Sequence, residues 1–535
     1  MRLILKEYLE TLKEKDELDF LICNLYESKG YILDSLPKTG NRQYGVDIQL
    51  HNEEELLLFV VKQGNINRKV WDGNVNSVRQ SIGEIRDVAF PMMTSKELER
   101  KIRIIVATNG VLDETVKINW NGFVEQNKKW GETNISIEFF NIDCFVKEIE
   151  QDFFNEYIFD SDLRSLLRKA LYFIDNDDDY NTIYYETIID NLLNQIPDTI
   201  HNRKAEKLWM TSYMISQMIA DYAGNAGHTK LAIMVTEYLI IRYWDIIREK
   251  GWFEKTEAVS RLVDINKRYE YWNNIYVNNI RKFVDGTAII PFYNIIENRV
   301  LFYEMLGYLS AYANYLHDVN SVKLKEVTNI MVELINQYPG YFYYAPYDNS
   351  ISTIIMLIRV LADQKRYSDI KTIMDVQLGT MCSYYRIFHK YPAPSDTYKE
   401  ALEIESGESN LKYETSAFLG YYLLLIAELN NEDLYNTVYN YLNNDLKSVC
   451  KCAWFLKKEE EEYLYHKNAM FLSGEGVDIP VMDTFERFKE RIGIITERYR
   501  DDIFSFQEYS FPSLEMIICR YYSYIPKVNY KDDSV

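Results

Sequence analysis

Apolar residues recur three and four apart at Leu18, Leu21, Ile22 and Leu25 before Gly30 stops the run, so the spacing predicts an amphipathic helix over residues 16–29. The pattern then becomes extended. Tyr31-Ile32-Leu33 opens a strand-like segment, Pro37 to Asn41 reads as a turn, and Val46 to Leu50 as a short strand. Glu53-Glu54-Glu55 forms a solvated tip before the apolar strand Leu56–Val61. After Gly64 the chain is polar until Val75, Val78, Ile82 and Ile85 mark a second helix. Lys101 to Asn109 is an apolar strand closed by Gly110, and residues 111–130 read as mostly helical. Ile135 to Phe140 reads as a further strand and Asp143 to Ile149 as a closing helix. The order αβββαβαβα predicts an α/β domain with a small mixed sheet and helices on both faces.

Beyond Asp152 the period changes to that of helices. Leu163–Ile174, Ile183–Ile196, Leu208–Tyr222, Leu231–Ile247, Val300–Leu316, Val327–Ile335, Ile351–Ala362, Ser416–Leu429 and Phe485–Tyr499 each place apolar residues three and four apart. Short connections between them predict antiparallel pairs in a large all-α region, either a bundle or an α-solenoid. The stretch from Ala427 to Leu434 reads as the turn of one such pair. A tetratricopeptide-like array fits it, although no repeat recurs at a fixed period. The expected domains are therefore 1–152 and 153–535; a further division, if there is one, falls near 285–292 or 390–410.

Composition narrows what these domains can do. At 535 residues the chain exceeds one ordinary core, and 47% apolar with 15% aromatic residues argues for a folded protein. The net charge of −21 excludes a surface that binds nucleic acid throughout, so such binding must be local. Lys62, Arg68, Lys69, Arg79 and Arg86, set against Asp72, Glu84 and Asp87, make one locally basic stretch. The six cysteines have no zinc-site spacing and read as reduced packing residues, which points to the cytoplasm. Charge interrupts the N-terminus before a signal sequence can form, and Glu237, Arg242 and Asp245 interrupt the most apolar helix, so no membrane association is expected. Most of the 45 tyrosines lie in the helical region and reflect composition more than base stacking. The acidic run Asp175, Asp177, Asp178, Asp179 reads as a solvated loop. No phosphate-cradling Gly-x-x-x-x-Gly-Lys loop is present, so any ATPase would be a separate partner.

One pair of residues carries candidate chemistry. Asp47 closes a Gly-Val-Asp turn beside a short strand, and Lys62 ends the next strand about fifteen residues later. A hard divalent cation takes oxygen ligands, keeps several waters and acidifies one of them, while a lysine nearby offsets charge developing on a scissile phosphate. A second acidic or amide side chain would be expected two residues before the lysine, where Val60 stands.

These elements resemble the Mrr-like branch of restriction endonucleases, within the PD-(D/E)xK nuclease superfamily. The similarity covers about residues 10–150: Asp19 eleven positions before Gly30-Tyr31, then Gly-Val-Asp, a strand ending in Lys62, a helix carrying Gln80, an Ile-Val-Ala-Thr-Asn-Gly strand, and a last strand and helix. The resemblance implies a DNA endonuclease dependent on Mg2+ or Mn2+, in bacterial restriction or anti-phage defence. It implies Asp47 as main metal ligand, Lys62 as catalytic lysine, Asp19 as auxiliary acid and the Val61 backbone carbonyl as a further ligand. Asp19, Asp34 or Gln63 would fill the position left by Val60. Arg68, Lys69, Arg79 and Gln80 would contact DNA, and the helical region would sense, assemble into a homo-oligomer or dock a defence-system protein. Two other readings stand beside this one: a catalytically inactive nucleic-acid-binding fold, and a helical interaction scaffold.

Overall fold

A computed structural model describes residues 2–27, 29–35, 44–74, 76–149, 161–176, 182–290, 295–343, 347–388, 402–403, 406, 414–467 and 474–528. The chain divides into two units, residues 1–226 and 227–535. The turn expected at Pro37 to Asn41, the break at Pro392 to Asp396, Val75 and the side chains of the Asp175–Asp179 run lie outside the described residues.

The first unit is built on a six-stranded mixed sheet in the order β1-β2-β3-β4-β6-β5. Its strands are β1 (Ile32–Ser35), β2 (Ile48–His51), β3 (Glu55–Lys62), β4 (Lys101–Thr108), β5 (Lys129–Trp130) and β6 (Thr133–Phe140). β1, β2 and β3 run antiparallel, β4 and β6 continue parallel to β3, and β5 closes the edge antiparallel to β6. Parallel strands are covered on both faces, which is why β3 reads as an unbroken apolar run. Leu56, Leu58 and Val60 enter a core with Trp71, Val78, Ile82 and Trp120. On the other face Phe59 meets the edge of Tyr26 at 5.1 Å.

The flanking helices are α1 (Arg2–Thr11), α2 (Asp19–Glu27), α3 (Arg68–Asp72), α4 (Val78–Glu84), α5 (Ser95–Leu98), α6 (Glu114–Gln126) and α7 (Ile142–Glu148). The helix expected over 16–29 is preceded by a π-helical turn, Glu14–Leu18, and by α1, whose Leu5 and Leu9 are buried. Far from the candidate site, Arg103 on β4 bridges Glu55 at 2.9 Å and Glu138 at 2.6 Å. Although burial pushes the Glu55 carboxyl up, bonds from Lys101, Arg103 and Tyr31 bring it down to about 2. Helices α8 (Ser161–Asn176), α9 (Ile183–Leu193) and α10 (Arg203–Asn225) belong to this unit too. α10 packs on α1, and Lys207 pairs with Glu17 at 2.8 Å, so the unit extends past residue 152.

The second unit is mostly helical: α11 (Thr229–Lys250), α12 (Thr256–Val284), α13 (Ile295–Val319), α14 (Ser321–Gln337), α15 (Pro339–Phe342), α16 (Ile351–Asp363), α17 (Tyr367–Phe388), α18 (Ala417–Glu428), α19 (Glu432–Asn440), α20 (Phe485–Glu497), α21 (Ser505–Glu508) and α22 (Leu514–Tyr522). Much of α11 and α13 is buried, and consecutive helices pair, as in α11 with α12 and α13 with α14. α22 returns to lie against α11, α13 and α16, a closure that goes beyond nearest-neighbour stacking. The tyrosine-rich stretches serve packing: Tyr341 and Phe342 are buried, and Phe342 stacks on Tyr303.

The all-α expectation for 153–535 is corrected by a three-stranded sheet of β7 (Thr415–Ser416), β8 (Cys450–Phe455) and β9 (Glu475–Asp478). In β8 the inward positions are Lys451, Ala453 and Phe455, so a lysine stands where an apolar residue would have signalled a strand. Its Nζ donates to the Val449 carbonyl at 2.7 Å, and burial lowers its pKa. No described helix is long and apolar enough to cross a membrane.

Candidate functional site

The C-terminal ends of the central strands β3 and β4 and the turn before β2 lie at one end of the first sheet. Gly45 makes that turn possible. Its φ is +83°, and a Cβ there would lie 2.1 Å from the Ser81 carbonyl oxygen of α4, so the turn packs directly on helix backbone. Asp47 follows, its backbone N–H bonded to the Phe59 carbonyl at 2.8 Å. One carboxylate oxygen, Oδ2, accepts the Val61 N–H at 2.8 Å.

Extended backbone turns the polar groups of residues two apart to the same side. Phe59 O and Val61 N–H both point toward β2, so Val61 O faces that side as well, beyond Ile48, where the β2 ladder begins. A carboxylate and a carbonyl therefore sit side by side. Burial holds the Asp47 carboxyl above the ordinary aspartate value. The Lys62 ammonium and the Val61 N–H act in the opposite direction, Glu14 adds to the rise, and Lys15 opposes it.

Glu14, which the sequence reading did not name, is an acid electrostatically coupled to Asp47. It opens the π-helical turn, which packs against β3. The preceding chain is held by side chains from both strand ends. Asn109 donates to the carbonyls of Leu9 and Leu12, each at 2.8 Å, and accepts the Gly64 N–H at 2.8 Å. Gln63 donates to Leu12 O at 3.2 Å. Thr108 donates to Gly64 O at 2.6 Å, and a Cβ on Gly110 would lie 2.3 Å from the Gly64 carbonyl carbon. The Thr-Asn-Gly strand end is thus a clamp that brings α1, Glu14 and Lys62 to one place. Asn109 is 2% exposed. Asn109→Ala should cost about 3 kcal/mol in urea unfolding by stranding its buried partners, and a loss under about 1 kcal/mol would show that the clamp is dispensable.

The other expected residues are placed as follows. Asp19 is buried in the first turn of α2, accepts the Phe20 N–H at 2.7 Å and acts on the Cys23 thiol. Asp34 pairs with His51 at 2.7 Å. Gln63 is turned to α1, as described. Val60 is 0% exposed, within the apolar core. Arg68 and Lys69 are exposed on the first turn of α3, which Asn67 caps. Arg79 pairs with Asp72 at 2.8 Å, Arg86 with Asp87 at 2.7 Å, and Gln80 is exposed on α4. The basic stretch is thus partly neutralised, leaving Arg68 and Lys69 as its outward cations.

Among the described residues, no group of three or more His, Cys, Asp or Glu is placed to hold a metal ion. Magnesium binds through one or two carboxylates and retains waters; the oxygens it could draw on here are those of Asp47, of Glu14, which couples electrostatically to Asp47, and of the Val61 carbonyl. The remaining Asp47 oxygen is the one such an ion would use. Searched against protein-family models, curated proteins and solved structures, the chain matches none.

Proposed function

We propose that the chain is a DNA endonuclease dependent on Mg2+ or Mn2+, with the helical unit as its regulatory or partner-docking part. The observation that carries the reading is Asp47: a carboxyl kept partly buried beside Lys62 and bonded to the Val61 N–H, at the end of a mixed sheet. Burying a carboxylate is unfavourable, and groups held this way concentrate where chemistry needs them. A bound divalent ion would supply Lewis acidity at the phosphodiester. Asp47 and Glu14 would hold it, and the Lys62 ammonium would offset charge developing on the phosphate. Arg68 and Lys69 would track the DNA backbone. A bacterial defence role, with a separate ATPase or another defence-system protein as partner and self-association through the helical unit, completes the proposal.

Purified protein with magnesium or manganese should nick or cut DNA, and Asp47→Ala or Lys62→Ala should abolish cleavage. Glu14→Gln should lower it, whereas Asp19→Asn should leave it largely intact. Equal cleavage by wild type and both alanine variants would sink the assignment. A second reading, a non-catalytic DNA-binding fold, is favoured by Val60, since the position where a second acid is expected lies inside the apolar core. Binding that persists in chelator, with no metal restoring cleavage, would select it.

A further inference from the structure

We propose that Cys450 and Cys452 on β8 form a binding site for one soft, two-coordinate metal ion, Cu(I). The inference is independent of the nuclease reading, because the site lies wholly in the second unit. Residues two apart on an extended strand share a face, and on β8 that face carries Cys450, Cys452 and Trp454, opposite the buried Lys451, Ala453 and Phe455. The Cys452 thiol hydrogen-bonds the Cys450 sulfur, so the two sulfurs already stand together. Neither is in a disulfide, and both residues are partly exposed.

The surroundings leave the pair accessible and hold it still. Cys450 is opposite Thr415 on β7 and Cys452 opposite Asp478 on β9, and Thr415, Asp478 and the nearby Gly476 are all exposed. Gly476 puts no side chain over the pair: a Cβ there would lie 3.5 Å from the Cys452 sulfur. Helix α18 presses on the strand backbone itself, since a Cβ on Gly420 would lie 2.3 Å from the Cys452 carbonyl oxygen. The two thiols are thus presented on a fixed strand.

Donor number and softness select the ion. Structural zinc takes four ligands, and among the described residues no group of three or more His, Cys, Asp or Glu is placed to hold a metal. Thiolates favour Cu(I), an ion that two sulfurs satisfy. The Asp478 carboxylate is already engaged, accepting the Lys451 N–H at 2.9 Å and the Cys450 thiol. Binding exchanges two S–H bonds for two Cu–S bonds and releases two protons, with no change of oxidation state. Burial first, and then negative neighbours, hold both thiols above the ordinary cysteine value, Cys452 at about 11. Such thiols are slow nucleophiles, so the pair suits a metal better than an electrophile or oxidant. The Lys451 ammonium acts on Cys450 in the opposite direction and offsets part of the negative charge that a bound dithiolate adds.

The test is titration of the reduced full chain with Cu(I), without oxygen, in competition with a colorimetric Cu(I) chelator. One Cu(I) per chain should be retained, with two sulfurs around it in X-ray absorption, and excess Zn(II) should not displace it. Removing an outer partner of a metal costs about 10- to 100-fold in affinity, so losing a ligand itself, in Cys450→Ser or Cys452→Ser, should cost more than about a hundredfold. Cys144→Ser, at a partly exposed cysteine of the first unit, should bind as the wild type does. On the unaltered chain, Cu(I) should protect Cys450 and Cys452 but not Cys144 from N-ethylmaleimide, a readout that does not depend on either variant folding. No retained Cu(I), affinity unchanged in the Cys450 and Cys452 variants, or protection at other cysteines only, overturns the proposal.

Discussion

Replacing Arg520 with methionine should remove about 3–5 kcal/mol of stability from the second unit, the cost of breaking a buried pair and leaving one charge behind. Glu237 and Arg520 are 283 residues apart in sequence and meet between α11 and α22. Burial already holds the Glu237 carboxyl above its ordinary value of 4.5, even against the attraction of Arg520. Without the guanidinium it rises further. A carboxyl whose folded value is raised contributes stability that is full below the unfolded value and is lost as pH rises through the folded one. The destabilisation should therefore be small near pH 4 and deepen toward neutrality in urea unfolding. Adding Glu237→Leu should restore most of the loss, since apolar replacement of both partners is often neutral or better. A double variant no more stable than the single one would show that the pair is not the source.

Asp47→Asn should abolish cleavage and at the same time make the first unit more stable at neutral pH. The asparagine carbonyl can still accept the Val61 N–H. What disappears is the burial of a charge. The Asp47 carboxyl is held above its ordinary 3.8, so the wild type loses stability as pH rises through the folded value, and asparagine does not. The melting-temperature advantage of the variant should be absent below pH 3.8 and grow above it. A variant less stable than the wild type at neutral pH would mean that the Asp47 carboxylate serves the fold. Gains of this kind at the expense of activity mark residues retained for function.

Much of the first unit was legible because its two central strands, β3 and β4, are buried on both faces. Leu56–Val61 and Lys101–Asn109 could hardly be read otherwise, and the resulting β3 and β4 end within a residue of expectation. Glu14 was not legible. A π-helical turn shifts the entry into α2, so an acid at helical spacing, Asp19, lands against Cys23 instead. The Leu5, Leu9 and Leu12 spacing ahead of it was the signal for α1 and for the turn that follows. Asn109 stood out as part of a strand end, but its role depends on carbonyls nearly a hundred residues away. In the second unit, α12 was missed because Ile265, Tyr269, Trp272, Tyr276 and Ile280 are its buried stripe amid many asparagines and arginines. Its apolar content is too dilute to show at a glance.

The return of α22 to α11 and α13 has a consequence for synthesis. A ribosome emits α11 early, with Glu237 facing a core that lacks its counter-charge. Nearly three hundred residues later Arg520 emerges and closes it. The first unit holds all its sheet partners within residues 32–140 and can form while the rest is still being made. The second must wait for its last helix, so its nascent chain should remain protease-sensitive until α22 has cleared the ribosome and then become resistant in one step.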